Sequence, residues 1–380
     1  MLPDDEFTAW FRLLETPGLG RSSARALLAA CGSPQAVFQT APDTLRQIVG
    51  ADITQALAKP ADGFDARLRA ALAWLHGGAD RHVLALGDSA YPARLLATAD
   101  PPLLLYVQGN AALLSARSVA IVGSRQATAQ GLDSAQSLAT ALCGRGWVVV
   151  SGLAQGIDGA AHVGALAAPN GAGTVAVVGT GLDIVFPTAH WRLAQRIAAA
   201  GAIVSEYAPG MPALPAHFPQ RNRIIAGLSE GTLVVEAALR SGSLITARMA
   251  LEAGREVFAM PGSVHAQQSR GCHALIKQGA KLVESAEDIL EELRRPELPG
   301  TNRRATPASD PADAFDSPDG SAPPEDALLQ ALGFDPTTLD ALQARTGLPT
   351  PQLNARLLEL ELNDQVARLP GGLFQRRHRG

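Results

Sequence analysis

SVAIVGSRQATAQGLDSAQSLATALCGRGWVVVSG, residues 118–152, begins and ends on short β-branched runs with room for one helix between them. The two runs, SVAIVG (118–123) and WVVVSG (147–152), are almost continuously apolar. That is the pattern of strands buried on both faces of a parallel sheet. It recurs in TVAVVG (174–179), AIVSEY (202–207), TLVVEA (232–237), EVFAMPG (256–262) and KLVES (281–285). The segments between them mostly hold one helix, so right-handed βαβ units follow. The predicted fold is α/β, a doubly wound parallel sheet. Ahead of it, HVLALGD (82–88) and PPLLLYVQGN (101–110) predict added strands at one edge.

The flanks read differently. Residues 1–75 show apolar positions at helical spacing in FTAWFRLLE and ARALLAACG, which predicts a helical module. Between those helices lies Thr16-Pro17-Gly18-Leu19-Gly20-Arg21, a tight turn opening a helix. Such a turn presents backbone N–H groups to a phosphate in helix-hairpin-helix modules, or simply joins two packed helices. The α/β core is expected over 76–295. Residues 296–325, rich in Pro, Asp, Ser, Gly and Ala, have little hydrophobic period and read as a flexible linker. Over 326–380, three helical segments and a hairpin on Gly371-Gly372 predict a winged helix.

Composition narrows the class. The 380 residues are 47% hydrophobic and 18% charged, with a formal net charge of -4. This excludes a disordered chain and one that coats nucleic acid by bulk charge. Only Lys59, Lys277 and Lys281 are lysines, so nearly every positive charge is an arginine, the fork-shaped phosphate ligand. Cys31, Cys143 and Cys272 form no CxxC pair, which argues against a disulfide framework or zinc cluster and fits a reducing cytoplasm. The acidic start, MLPDDEF, is no signal peptide, and no apolar run reaches membrane-spanning length.

Ligands of an open parallel sheet bind beyond the carboxyl ends of its strands. Those ends read Gly123-Ser124-Arg125, then Ser151-Gly152-Leu153-Ala154-Gln155-Gly156-Ile157-Asp158, then Gly179-Thr180-Gly181 and Pro261-Gly262-Ser263. Small residues at each end let phosphates approach backbone N–H groups, so the rim reads as a phosphate site. The densest polar cluster runs from His217 and Phe218 through Arg221, Asn222 and Arg223. Two arginines beside an aromatic suit phosphate clamping with base stacking, as in single-stranded nucleic acid. The competing reading pairs these arginines with Glu206 or Glu236. Ser241-Gly242-Ser243 is a second anion nest or an ordinary helix cap.

Enzymatic chemistry is sparse. No GxGxxG, Walker A or GxSxG motif is present, which disfavours NAD-dependent redox, ATP hydrolysis and a serine nucleophile. Asp158 and His162 stand four apart and could face each other on a helix. His217, His265 and His273 show no metal-ligand spacing. No catalytic residue, metal or cofactor is expected.

Taken together, VAIVGSR (119–125), SGLAQGIDGAAH (151–162), VVGTGLDIVFP (177–187) and IVSEYAPG (203–210) resemble the DNA-processing protein A family, also called DprA or Smf. The likeness continues through FPQRNRIIAGLSEGTLVVEAALRSGSLITARMALEAGREVFAMPG (218–262) and LIKQGAKLV (275–283), and covers about 110 to 290. It implies an extended Rossmann-like core that binds single-stranded DNA, protects incoming DNA in natural transformation and loads the RecA recombinase. It also implies a homodimer formed through that core. Carried over residue by residue, the implied DNA-binding set is Gly123, Ser124, Arg125, Gly152, Phe218, Arg221, Asn222, Arg223, Ser241, Gly242 and Ser243. Gln155 and Thr188 depart from the family pattern by standing where basic residues are common.

A second reading is a Rossmann-like nucleotide-cleaving enzyme related to the lysine-decarboxylase-like hydrolases. Its PGGxGTxxE motif is matched only in part, by Glu230-Gly231-Thr232-Leu233-Val234-Val235-Glu236, with Glu236 as the candidate carboxylate. In the winged helix, the recognition segment QLNARLLELELND sets Arg356 against Glu359, Glu361 and Asp364, while Arg376, Arg377 and Arg379 gather at the tail. That favours a protein-contact role over duplex binding.

Overall fold

The computed structural model describes residues 2–294, 326–363, 365–369 and 371–376. The expected linker 296–325, together with Asp364, Arg377 and Arg379, lies outside the described residues.

Five helices come first: α1 (Asp4–Leu14), α2 (Arg21–Cys31), α3 (Pro34–Gln39), α4 (Pro42–Ala58) and α5 (Phe64–His76). Leu13, Leu27, Val37, Leu45 and Leu57 give them a small core of their own. Phe7, Trp10, Phe11, Phe64 and Trp74 instead pack with Val83, Leu104 and Tyr106 of the next two strands, β1 (Arg81–Ala85) and β2 (Leu104–Gly109). The core of the helical module therefore continues across residue 76.

After the short α6 (Ala93–Leu96), the chain alternates as the sequence predicts. It runs β3 (Ser118–Val122), α7 (Ala129–Gly144), β4 (Val148–Ser151), α8 (Ile157–Ala167), β5 (Thr174–Val177), α9 (Trp191–Ala200), β6 (Ala202–Ser205) and α10 (His217–Leu228). Then follow β7 (Gly231–Val234), α11 (Gly242–Glu252), β8 (Glu256–Ala259), α12 (Arg270–Lys277), β9 (Lys281–Leu282) and α13 (Ala286–Arg294). The nine strands lie in the order β1-β2-β6-β5-β4-β3-β7-β8-β9. All neighbours from β6 to β9 are parallel, and β1 and β2 add antiparallel at one edge.

Burial explains the continuous apolar runs. Along β3, Val119 and Ile121 pack with α7, α8 and α13, while Ala120 and Val122 pack on the other face with α10 and α11. Strand order reverses between β3 and β7, which makes their carboxyl ends the crevice where ligands of such sheets bind.

The last unit holds α14 (Ala327–Leu332), β10 (Thr337–Thr338), α15 (Leu339–Thr346), α16 (Thr350–Leu362), β11 (Val366–Leu369) and β12 (Leu373–Arg376). Three helices and a small sheet in the order β10-β12-β11 make a winged helix. Its hairpin turns through Gly371 and Gly372 with φ of 84° and 74°, a backbone that glycine adopts without steric cost. Among the described residues, no helix is long and apolar enough to cross a membrane.

Candidate nucleic-acid interface

The turn after β3 is fixed by close approach to α8. Ser124 O accepts from Ile157 N at 3.1 Å, and Gly156, at φ 76°, leaves no space for a Cβ against the carbonyls of Ser124 and Arg125. Arg125 is thereby held at the rim with its side chain exposed. Its guanidinium lies 5.9 Å from the ring centroid of Phe218, which in turn sits 5.3 Å from Phe186.

These groups line a pocket of about 170 Å³ with Gly152, Ala154, Gln155, Pro187 and Arg221. Arg221 forms its floor and is only 4% exposed. Its Nη1 donates to the carbonyl oxygens of Gly152 and Val177, and its Nη2 lies 4.0 Å from Asp158. Asp158 Oδ2 accepts from Gly152 N at 3.1 Å and Ala154 N at 3.4 Å. Burial pushes the Asp158 carboxyl above its ordinary range, against the pull of Arg221 and the two backbone donors. The pocket thus presents two guanidinium groups against one carboxylate, a net charge suited to a phosphate. A larger cleft of about 400 Å³ lies between α7 and α15. It mixes Asp133 and Glu284 with Arg345, and Arg345 is already paired to Asp133 at 3.1 Å.

The three residues of the Arg-Asn-Arg block point in different directions. Asn222 is buried and donates to Gly242 O at 3.4 Å, joining α10 to the start of α11. There Ser241 Oγ caps Ser243 N at 3.4 Å and lies 2.6 Å from Ser243 Oγ. Arg223 turns away, to Asp100 at 2.9 Å and Glu206 at 2.5 Å. Arg21 and Arg25 of α2 meet the same Asp100, the former at 2.9 Å. Arg21 at the end of the Thr16–Arg21 turn therefore helps dock the helical module onto the core through Asp100.

Of the predicted residues, Arg125, Gly152, Phe218 and Arg221 come together in the pocket, with Gly123 and Ser124 in the turn that carries Arg125. Asn222, Ser241, Gly242 and Ser243 form a separate junction, and Arg223 a third. Phe186 and Pro187, at the end of VVGTGLDIVFP, also line the pocket although they stand outside the polar motifs. Their signal is an aromatic–proline pair in the loop that follows β5.

The nucleotide phosphate position of ordinary doubly wound folds is filled from within. Glu236, following β7, accepts from Thr128 N at 2.9 Å and Thr128 Oγ1 at 2.6 Å at the start of α7. A carboxylate complements the positive end of that helix as a pyrophosphate would. Burial raises the Glu236 carboxyl above its ordinary range, while the Thr128 bonds lower it. Glu230 lies at the opposite end of β7, bound by Arg117 at 2.9 Å and Arg94 at 3.3 Å. The two acids of the partial hydrolase motif do not meet.

Other reactive groups are occupied. Asp158 and His162 do not pair: His162 is fully buried, with Nδ1 2.8 Å from Thr174 Oγ1. Thr174 Oγ1 spends its proton on Val149 O, so His162 Nδ1 carries a hydrogen and donates. His217 stacks on Tyr207 at 3.8 Å. Burial pushes the thiols of Cys143 and Cys272 up to about 11 and about 12, and all three cysteines are free. Among the described residues, no group of three His, Cys, Asp or Glu could hold a metal ion.

With this geometry in place, comparison with known proteins is direct. The family described as DNA recombination-mediator protein A matches residues 82–294. The chain belongs to that family. A DprA winged helix domain also matches residues 307–372. Protein Smf of Escherichia coli (strain K12) is 44% identical over 313 residues, covering 82% of this chain and 81% of the relative. DNA processing protein DprA of Streptococcus pneumoniae is 51% identical over 205 residues, 54% of this chain and 72% of the relative. The X-ray structure of the pneumococcal DNA processing protein A matches at 39% identity and a TM-score of 0.65, over 75% of this chain and 97% of that one. DNA processing protein A from Helicobacter pylori, described for its single-stranded DNA binding mode, matches at 30% identity and a TM-score of 0.50. That match covers 56% of this chain and 95% of the other.

Proposed function

We propose that the chain binds single-stranded DNA at the rim pocket, without cleaving it, and hands the strand to the RecA recombinase in natural transformation. The observation that carries this reading is the convergence of Arg125, Arg221, Phe186 and Phe218 on one small pocket. Guanidinium beside an exposed aromatic holds a phosphate and stacks a base without reading sequence. At about 170 Å³ the pocket is smaller than the ~300 Å³ or more that encloses a small-molecule ligand, which favours a chain passing over it. The engagement of Glu236 by Thr128 disfavours nucleotide cleavage.

Arg125, the exposed guanidinium, is the primary phosphate ligand. Arg221 contributes charge from below, Gly152 leaves the space its guanidinium occupies, and Gly123 and Ser124 form the turn that carries Arg125 against α8. Asn222, Arg223 and Ser241–Ser243 act at one remove, by fixing α10 against its neighbours. Homodimerisation through the α/β core and the hand-over to RecA come from the family resemblance and belong to this proposal, as does a cytoplasmic location. The winged helix fits a protein-contact role, because Arg356, the one basic residue of α16, is held by Glu359 and Asp326, each at 2.6 Å.

Arg125→Ala tests the assignment. A charge-assisted hydrogen bond is worth about 1.5–3 kcal/mol, so affinity for single strands should fall about tenfold or more, alike for all sequences. Fluorescence anisotropy with oligonucleotides of different composition reads this. Unchanged binding would sink the site.

A further inference from the structure

Next to the pocket lies a face that the folded core leaves unused. Trp191 is 58% exposed and Phe186 47% exposed. The other three tryptophans, Trp10, Trp74 and Trp147, are buried at 4%, 7% and 3%. Trp191 opens α9, whose inward side packs through Ala194 and Ile197. Its outward side carries Trp191, Arg192, Gln195 and Arg196, all exposed. Arg192 and Arg196 stand one helical turn apart, and neither has an ion-pair or hydrogen-bond partner among the described residues. The helix, WRLAQRIAAA, contains no acid. The acid of the preceding loop, Asp183, has its oxygens 2.8 and 3.0 Å from Gly210 N.

This face is continuous with the pocket. Phe186 and Pro187 line the pocket, and a single 3-10 turn, Thr188–His190, leads from them into α9. His190 Nδ1 is 3.0 Å from Leu153 O, which ties the start of α9 to the loop bearing Ala154 and Gln155. An exposed indole beside two unpaired guanidinium groups has the composition of a single-strand track, with a π-face for a base and cations for the backbone.

We infer that the outward face of α9 is a second DNA subsite, in which Trp191 stacks on a base while Arg192 and Arg196 hold the phosphates of the strand leaving the pocket. The inference rests on the single-stranded DNA reading above and gives that strand a direction across the rim. Charge complementarity and continuity with the pocket select an extended nucleic-acid strand over an apolar partner.

The test uses the full chain, with dT4 and dT12 as probes. Addition of dT12 should quench the emission of Trp191, and Trp191→Phe should abolish the quench. Trp191→Ala should weaken dT12 about fivefold or more and dT4 less, given what one base–aromatic stack contributes. Replacing Arg192 and Arg196 together by Ala should lower the salt slope for dT12 by about 1.4, two phosphate contacts at roughly 0.7 each. Arg125-dependent dT12 binding with no quench and an unaltered slope overturns the inference and leaves the pocket reading intact. So does a Trp191 emission that changes with protein concentration and not with DNA, the mark of a second copy covering this face. If dT12 does not bind at all, the pocket reading fails and this inference fails with it.

Discussion

Arg221→Met should lower the unfolding free energy by about 3–5 kcal/mol, the cost of removing one partner from a buried ion pair. Arg221 is 4% exposed and Asp158 only 6%, so water cannot replace either partner. Methionine fills much of the volume but leaves the carbonyls of Gly152 and Val177 without their donor and Asp158 without its cation. Gly152 follows from the same packing, since a Cβ there would overlap the Arg221 guanidinium. Adding Asp158→Leu to Arg221→Met should restore part of the loss, because a buried pair replaced as a whole is tolerated better than one broken. Urea denaturation of the single and double variants measures both. A single variant within 1 kcal/mol of the parent, or a double variant no better than the sum of its parts, contradicts this role.

The second large effect is in acid. Burial, with smaller contributions from His190 and Arg221, pushes the His162 imidazole down from 6.5 to about 3. The folded protein therefore keeps His162 neutral under conditions where the unfolded chain takes up a proton. Stability linked to this group is intact above about pH 6.5 and falls as pH drops toward about 3, at up to about 1.4 kcal/mol per pH unit. Over that window the loss approaches about 4–5 kcal/mol. His162→Asn keeps a donor for Thr174 and removes the titration. Denaturation midpoints followed from pH 7 to 4.5 should fall more steeply for the parent than for the variant. Parallel curves would show that His162 is not held neutral.

The central strands were legible because they are buried on two faces, which leaves a continuous apolar run. Val119 to Val122 and Val148 to Val150 show it directly, in a sheet where both faces are covered. The site was legible to the level of its motifs and no further. Arg221, Asn222 and Arg223 read as one block of ligands, yet consecutive residues of a helix do not share a face. In α10 they turn toward the floor of the pocket, toward α11 and toward Asp100 and Glu206. The spacing held that information. The partners did not appear in it, since Asp100 lies 123 residues from Arg223, and Thr128 lies 108 from Glu236. Pairings over such separations are set by strand order, which local pattern does not encode. The same limit hid the use of Arg21, where a turn of phosphate-binding form meets Asp100 instead.

The net charge of -4 sharpens the same point. Many arginines are already committed to carboxylates, among them Arg21, Arg94, Arg117, Arg145, Arg223, Arg345 and Arg356. What matters for nucleic acid is the small set left exposed beside an aromatic, and Arg125 with Phe218 heads it.

The most direct test of the central claim is a salt titration of the full chain against matched single- and double-stranded oligonucleotides. Each phosphate contact on a single strand releases counterions and adds about -0.7 to the slope of log K against log salt. The rim pocket predicts a linear fall of about -1.4 or steeper for the single strand, and weaker affinity for the duplex, whose paired bases cannot stack on the aromatics of the rim. Binding that ignores salt, or equal affinity for the duplex, would contradict a single-strand site at this rim.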